Sequence, residues 1–395
     1  MRCEPGAPAE AGGIALCVPE IRGNEWTYVK ECLDTNFVSS VGPFVDRFER
    51  LVAEYLGARH AVATVNGTAA LHIALLVAGI EPDDEVLVSA LTFIAPVNAI
   101  RYVGAWPVFI DAEPDYWQMD SARVAWFLQR ECEWRHDELR NRTTGRRVRA
   151  IMPVHILGHP VDSDPMLDLA KTFDLAVIED ATESLGARYR GRMVGRLGHV
   201  ACLSFNGNKL ITTGGGGMVV TDNAEWAQRA RYLTTQAKDD PLEFIHGEVG
   251  FNYRLTNIQA ALGVAQMEQL DDFIAAKRQI AATYAAALQD VAGITPMPEA
   301  AWASSVFWLY TVLVNESEYG ISARQLLGRL AACDIQTRPL WQPVNRSPAH
   351  RTPVETHCPV AERVNRLALS LPCSVGLTPD QHARVLAAIR DARPR

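Results

Sequence analysis

Of the five lysines set among thirty-three arginines in this chain, one stands where an amine can act as a nucleophile. Lys30, Lys171 and Lys277 fall in helix-like stretches of mixed charge, and Lys238 lies among acids, so these four read as solvated surface charges. Lys209 instead follows the apolar run Val200-Ala201-Cys202-Leu203-Ser204-Phe205 and precedes Thr212-Thr213-Gly214-Gly215-Gly216-Gly217. An amine held between a buried strand and a glycine run is easily desolvated, and desolvation favours its neutral form. That form condenses with a carbonyl to give a Schiff base.

Three other segments could serve such an amine. Val177-Ile178-Glu179-Asp180 is a hydrophobic strand that ends in acids, and ligand-facing groups of open α/β sheets gather at the carboxyl ends of strands. Asp180 there is either a helix cap or a carboxylate that keeps a pyridine nitrogen protonated. Asn66-Gly67-Thr68-Ala69 is a turn after a strand that opens a helix, where backbone N–H groups bind phosphate and Gly67 permits close approach. Ser204 adds a hydroxyl to the same phosphate or is satisfied within its strand. Phe93, at the end of Ser89-Ala90-Leu91-Thr92-Phe93, either covers a planar ring or packs in a core. Taken together, nucleophile, ring-nitrogen partner, phosphate cradle and stacking face point to pyridoxal 5'-phosphate.

The elements that must position these residues are strand-like and helix-like runs that alternate from Gly57 to about Asp222. Strands are expected at 61–65, 85–89, 107–110, 150–154, 175–180 and 200–205, with helices at 68–78, 94–103, 121–129 and 166–173. This alternation predicts an α/β layer with a largely parallel sheet. Residues 131–149 interrupt it with mixed acids and arginines, read as an exposed helix and loop, or else as a basic lip for a phosphorylated ligand. From Thr256 to about Val291 a proline-free, Ala- and Gln-rich pattern predicts one long helix leading to a smaller α+β region. That region holds a strand near 307–314 and helices at 323–332 and 379–391. The division expected is a loose arm at 1–13, a large domain at 14–265 and a small C-terminal domain at 266–395.

Composition sets outer bounds. A formal charge of −8 argues against a nucleic-acid partner without excluding an anionic substrate at a local basic site. Eight scattered cysteines lack paired C-x-x-C spacing, and Cys132 with His136 makes only half a metal site, so no metal is expected. Unpaired thiols, no signal-like N-terminus and no apolar run of about 18 residues predict a cytoplasmic protein off the membrane.

The order of these motifs resembles the DegT/DnrJ/EryC1/StrS family of sugar aminotransferases. The resemblance covers Phe48-Glu49, Asn66 to Leu71, Asp84-Glu85-Val86, Thr92-Phe93, Gly104-Ala105 before Asp111, Glu179-Asp180-Ala181, Ser204-Phe205 with Lys209, and Gly250 to Arg254. It runs from about Ile14 to Ile389 and implies a fold-type I enzyme: a large domain with a mostly parallel seven-stranded sheet, plus a smaller C-terminal domain. It further implies that Lys209 forms the Schiff base with the cofactor and that Asp180 pairs with the ring nitrogen. Phe93 would stack on the ring, and Gly67, Thr68 and Ser204 would hold the phosphate. Asn252 would reach the phosphate of a neighbouring subunit, hence a homodimer with shared sites. Glu183 stands where many relatives carry Gln or His, and Gly214 to Gly217 stands where many carry Gly-Glu-Gly-Gly. Both departures, with His155-Ile156-Leu157-Gly158-His159-Pro160, resemble the LegC-type branch.

The activity so implied is transfer of the amino group of L-glutamate to a nucleotide-linked keto sugar, of the 4-keto-6-deoxy-hexosamine kind. Amination at C3 is the alternative within enzymes, and a non-catalytic cofactor-binding regulator the alternative outside them. Glu183 lies near the cofactor or is a solvent-facing acid. His155 and His159 touch substrate or make structural hydrogen bonds. Arg338 is placed near the substrate entrance or is a surface arginine.

Overall fold

The apolar runs between βα turns assemble into one seven-stranded sheet: β1 (His60–Thr64), β2 (Glu85–Ser89), β3 (Trp106–Ile110), β4 (Val148–Met152), β5 (Ala176–Asp180), β6 (Val200–Ser204) and β7 (Gly217–Thr221). The computed structural model describes residues 12–240, 242–351 and 356–394; the expected arm at 1–13 lies outside these apart from Gly12 and Gly13. Strand order is β1-β7-β6-β5-β4-β2-β3, and only β7 runs against its neighbours. β2 and β7 are buried along their whole length, as strands covered on both faces must be.

Helices cover both faces. α1 (Pro43–Leu56) starts on a proline and stops at Gly57, whose φ of 69° is the left-handed conformation of a helix C-cap. α2 (Gly67–Val77) is buried nearly all round and is capped by Asn66, whose side chain accepts from the Ala69 N–H at 2.8 Å. α3 (Ala224–Thr234) follows β7. The proline-free run is two helices, α4 (Asn257–Met267) and α5 (Leu270–Leu288). The turn between them puts Asp271 and Asp272 into the first turn of α5, where the positive end of the helix favours acids. The break lets α4 pack on α1 while α5 turns its Tyr284 onto Tyr310, ring centroids 4.9 Å apart.

Tyr310 belongs to a second, four-stranded antiparallel sheet of β8 (Ile294–Thr295), β9 (Tyr310–Val314), β10 (Arg338–Pro339) and β11 (Ala368–Leu371), in the order β8-β9-β11-β10. One apolar cluster runs without interruption from the main sheet into this smaller one. The segment at 131–149 is not an exposed helix: Cys132–Arg135 and Glu138–Asn141 form an antiparallel hairpin, and β4 begins at Val148. Its turn residues His136 and Asp137 have φ of 50° and 61°, the twist that two-residue hairpin loops require. Most of its arginines have acidic partners. Arg140 pairs with Glu138, Arg142 and Arg135 with Glu133, and Arg147 with Asp84 and Glu81. No helix among the described residues is long and apolar enough to cross a membrane.

Candidate active site

The carboxyl ends of β5 and β6 bring Asp180 and Ser204 to one edge of the sheet, and β7 returns beside them. Gly217 packs directly under the turn before α2: a Cβ there would lie 2.3 Å from the Asn66 carbonyl oxygen and 2.7 Å from the Gly67 nitrogen. A Cβ at Gly67 would lie 2.9 Å from Ser204 Cβ, 3.1 Å from Ser204 Oγ and 3.4 Å from Thr182 Cγ2. The glycines thus draw the helix start, the serine hydroxyl and Thr182 around one small cup. The N–H groups of Gly67 and Thr68, in the first turn of α2, have no acceptor within the helix. Such a cup binds a phosphate.

Lys209 stands beside it. Its Nζ lies 3.6 Å from Glu183 Oε1 and 3.9 Å from the centre of the Trp308 ring, and its side chain is 13% exposed. Asp180 is buried and accepts from the Thr182 N–H at 3.1 Å. Burial pushes its carboxyl above the usual range, against the pull of Thr182 and the Lys209 charge. Glu183 is not solvent-facing: it is 6% exposed and its Oε2 accepts from the Leu157 N–H at 2.8 Å. Burial pushes its carboxyl up to about 7, with Lys209 and the Leu157 N–H opposing and Asp180 reinforcing. Leu157 makes this bond from a left-handed backbone, φ 59°, strained for a branched residue and held by the surrounding turn.

A row of rings bounds the other side. Trp308 stacks on Trp341 at 6.4 Å and 13°, and Trp341 meets Phe93 edge-on at 6.4 Å. Phe93 is half exposed, as a residue covering a ligand must be. Sequence reading missed Trp308 and Trp341, whose contacts join the small sheet to the lysine turn. Tryptophan beside a strand gave no local signal of that.

Other named residues sit elsewhere. His155 is fully buried; its Nδ1 accepts from the Val161 N–H at 2.9 Å, so its Nε2 carries the proton toward Glu179 at 3.2 Å. Both nitrogens are spent, which corrects its placement against substrate to a structural role. His159 is likewise held, by Pro160 O and the Ala300 N–H. Arg338 is exposed on β10 with no side-chain partner among the described residues, and Asn252 is exposed with its amide free in the same sense. Lys277 corrects the reading of the four remaining lysines: it is 1% exposed, the most buried lysine of the chain. Two motif residues also prove architectural. Glu49 accepts from Ala63 N–H, Arg231 and Arg254, and Asp111 caps the helix Pro359–Leu367 through the Val360 and Ala361 N–H groups.

A sheltered amine near two buried carboxylates, with a glycine-built cup at strand ends, fits the pyridoxal-phosphate class of fold-type I enzymes. Residues 19–390 match the DegT/DnrJ/EryC1/StrS aminotransferase family, and the chain belongs to it. The GDP-perosamine synthase of Caulobacter vibrioides is 40% identical over 379 residues, 95% of this chain and 97% of the relative. The GDP-perosamine synthase of Escherichia coli O157:H7 is 37% identical over 96% of this chain and 98% of its own. The crystal structure of S. venezuelae DesV superposes with a TM-score of 0.84 at 33% identity, covering 94% of this chain and 95% of that one. The protein is therefore a pyridoxal-phosphate-dependent aminotransferase.

Proposed function

We propose that this enzyme moves the amino group of L-glutamate to the C4 ketone of a nucleotide-linked 4-keto-6-deoxy sugar. The names of the 40% and 37% identical relatives favour a GDP-linked, perosamine-type product over the legionaminic-acid-type product of the LegC branch. The observation that carries the reading is the Lys209–Glu183 pair beside Asp180 and the glycine-built cup.

The cup, made of Gly67, Thr68 and Ser204, fits the cofactor's phosphate; Asp180 lies one strand away, and Phe93 supplies a ring face. When bound, pyridoxal phosphate supplies a carbonyl for the amino group and a ring that takes up electrons. Asp180 holds a proton at the ring nitrogen. Lys209 Nζ takes the proton from Cα of L-glutamate and later returns one to the sugar carbon. Glu183, ionising near neutrality 3.6 Å away, stabilises the ammonium form between these transfers. Residues 14–265 carry this machinery, and 266–395 form the smaller lobe, from which the exposed Arg338 meets the anionic part of the substrate.

A second copy completes the site. The Asn252 side chain has no partner among the described residues, and the hairpin of Lys238–Asp240 and Ile245–His246, with the loop after it, exposes Leu242, Phe244, Ile245 and Val249, a patch suited to burial against another subunit. Incubation with 15N-labelled L-glutamate and a panel of nucleotide-linked 4-keto sugars tests the proposal. NMR is expected to find the label on C4 of a GDP-linked sugar. Label on C3, or no transfer to any sugar, contradicts it.

A further inference from the structure

Lys277 raises a question that the transamination site does not answer. Its ammonium group, carried by α5, is buried with no carboxylate in contact among the described residues. Nζ donates instead to Trp308 O at 2.8 Å, Cys373 O at 2.5 Å and Cys373 Sγ at 3.4 Å, with Cys17 Sγ at 3.8 Å. A buried charge without a counter-ion is strongly unfavourable. The groups touching it that can take a negative charge are the two thiols.

The pair is asymmetric. Cys373 is 1% exposed, whereas Cys17 is half-buried and opens the cluster toward solvent. The adjacent Cys17 thiol, together with the Lys277 charge, holds the Cys373 thiol below its usual range despite burial. The same pairing, with burial, pushes Cys17 up. A thiolate beside a thiol and an ammonium group is the arrangement of a reactive dithiol.

The cluster also lies directly beneath the lysine turn. Cys17 Sγ is 3.5 Å from the carbonyl oxygen of Asn208, the residue before Lys209, and Trp308 Nε1 donates to that same oxygen at 2.7 Å. The main-chain carbonyl of Trp308 accepts from Lys277, while its ring faces Lys209 Nζ at 3.9 Å. Cys17 is fixed against Cys373 by the Cys373 N–H to Leu16 O bond of 2.8 Å.

We propose that Cys17, Cys373 and Lys277 form a peroxide-responsive dithiol site whose oxidation displaces the Asn208–Lys209 turn. The Cys373 thiolate attacks one oxygen of a hydroperoxide; the O–O bond breaks, hydroxide or alkoxide leaves, and a sulfenic acid remains. The Cys17 sulfur then attacks the Cys373 sulfur; the S–S bond forms and water leaves, so two electrons pass from the thiols to the peroxide. The disulfide takes Cys17 away from Asn208 O and removes the counter-charge of Lys277. The thiol chemistry is independent of the sugar assignment.

The test treats the intact holoenzyme with hydrogen peroxide and maps peptides without reduction. The expected result is a Cys17–Cys373 cross-link, together with a shift in Trp308 fluorescence; both are reversed by dithiothreitol. In Cys17→Ser the sulfenic acid is trapped by dimedone on Cys373, and in Cys373→Ser neither product forms. Alkylation of Cys373 at neutral pH is expected to run about tenfold faster than that of Cys202, a core thiol pushed far up by burial. Modification confined to exposed Cys333, with Cys17 and Cys373 unchanged, overturns the proposal. So does a 17–373 cross-link that leaves the fluorescence unmoved, because the coupling to the turn would then be absent.

Discussion

At the scale of single residues, two buried carboxylates flank one amine, and their different surroundings divide the work. Asp180 is fixed by the Thr182 N–H at the carboxyl end of β5, so in the proposed role its loss removes the ring-nitrogen partner. Asp180→Asn is expected to lower kcat on the order of 100-fold or more with the fold retained, checked by steady-state rates beside circular dichroism. Glu183 titrates. Because its folded-state value is raised to about 7 from 4.5, the fold prefers the protonated acid. Its stabilising contribution is present below pH 4.5 and is lost as pH rises through about 7. In cofactor-free protein, denaturant unfolding should show wild type losing on the order of 3 kcal/mol relative to Glu183→Gln between pH 4 and 8. A flat difference would remove Glu183 from the site. Lys209 and Asp180 were legible in the sequence because their signals are local: a strand end, an apolar run, a glycine stretch. The burial of Glu183 and the sheltering of Lys277 were not, since both depend on segments distant in the chain, the strained Leu157 turn and the carbonyls of Trp308 and Cys373.

At the scale of elements, the turn 155–160 and the end of β7 matter most. His159 is buried and neutral, its value lowered to about 4, chiefly by burial. Its contribution is therefore present above pH 6.5 and lost as pH falls through about 4. Urea unfolding at pH 7.5 and pH 4.5 should show acid destabilisation that His159→Gln lacks. Gly217→Ala forces a methyl group against the Asn66 carbonyl and is expected to cost about 1–3 kcal/mol and to loosen cofactor binding, measured by spectral titration. The parallel strands were readable from their apolar runs. The hairpin at 132–141 was not, because its charges hid an alternation that becomes visible only once each arginine has found its acid. The α4–α5 break was hidden for a different reason: no proline or glycine marks it, and packing of α4 on α1 and of α5 on the small sheet sets the angle.

At the scale of the whole molecule, the proposed shared site requires two chains. Sharing of Asn252 across an interface makes a specific demand on mixed dimers. Lys209→Ala and Asn252→Ala should each be inactive or weak alone, yet mixing them after mild denaturation and refolding should restore about a quarter of wild-type activity, one intact site in each mixed dimer. No recovery would place Asn252 in its own subunit's site or in none.

The central claim is that Lys209, and no other amine, carries the cofactor. Borohydride reduction of the holoenzyme followed by peptide mapping measures this directly. The account expects a single stable pyridoxyl adduct on Lys209 and none on Lys277, whose hydrogens are spent on Trp308 and Cys373. A label on Lys277, or on any of the other three lysines, would contradict it.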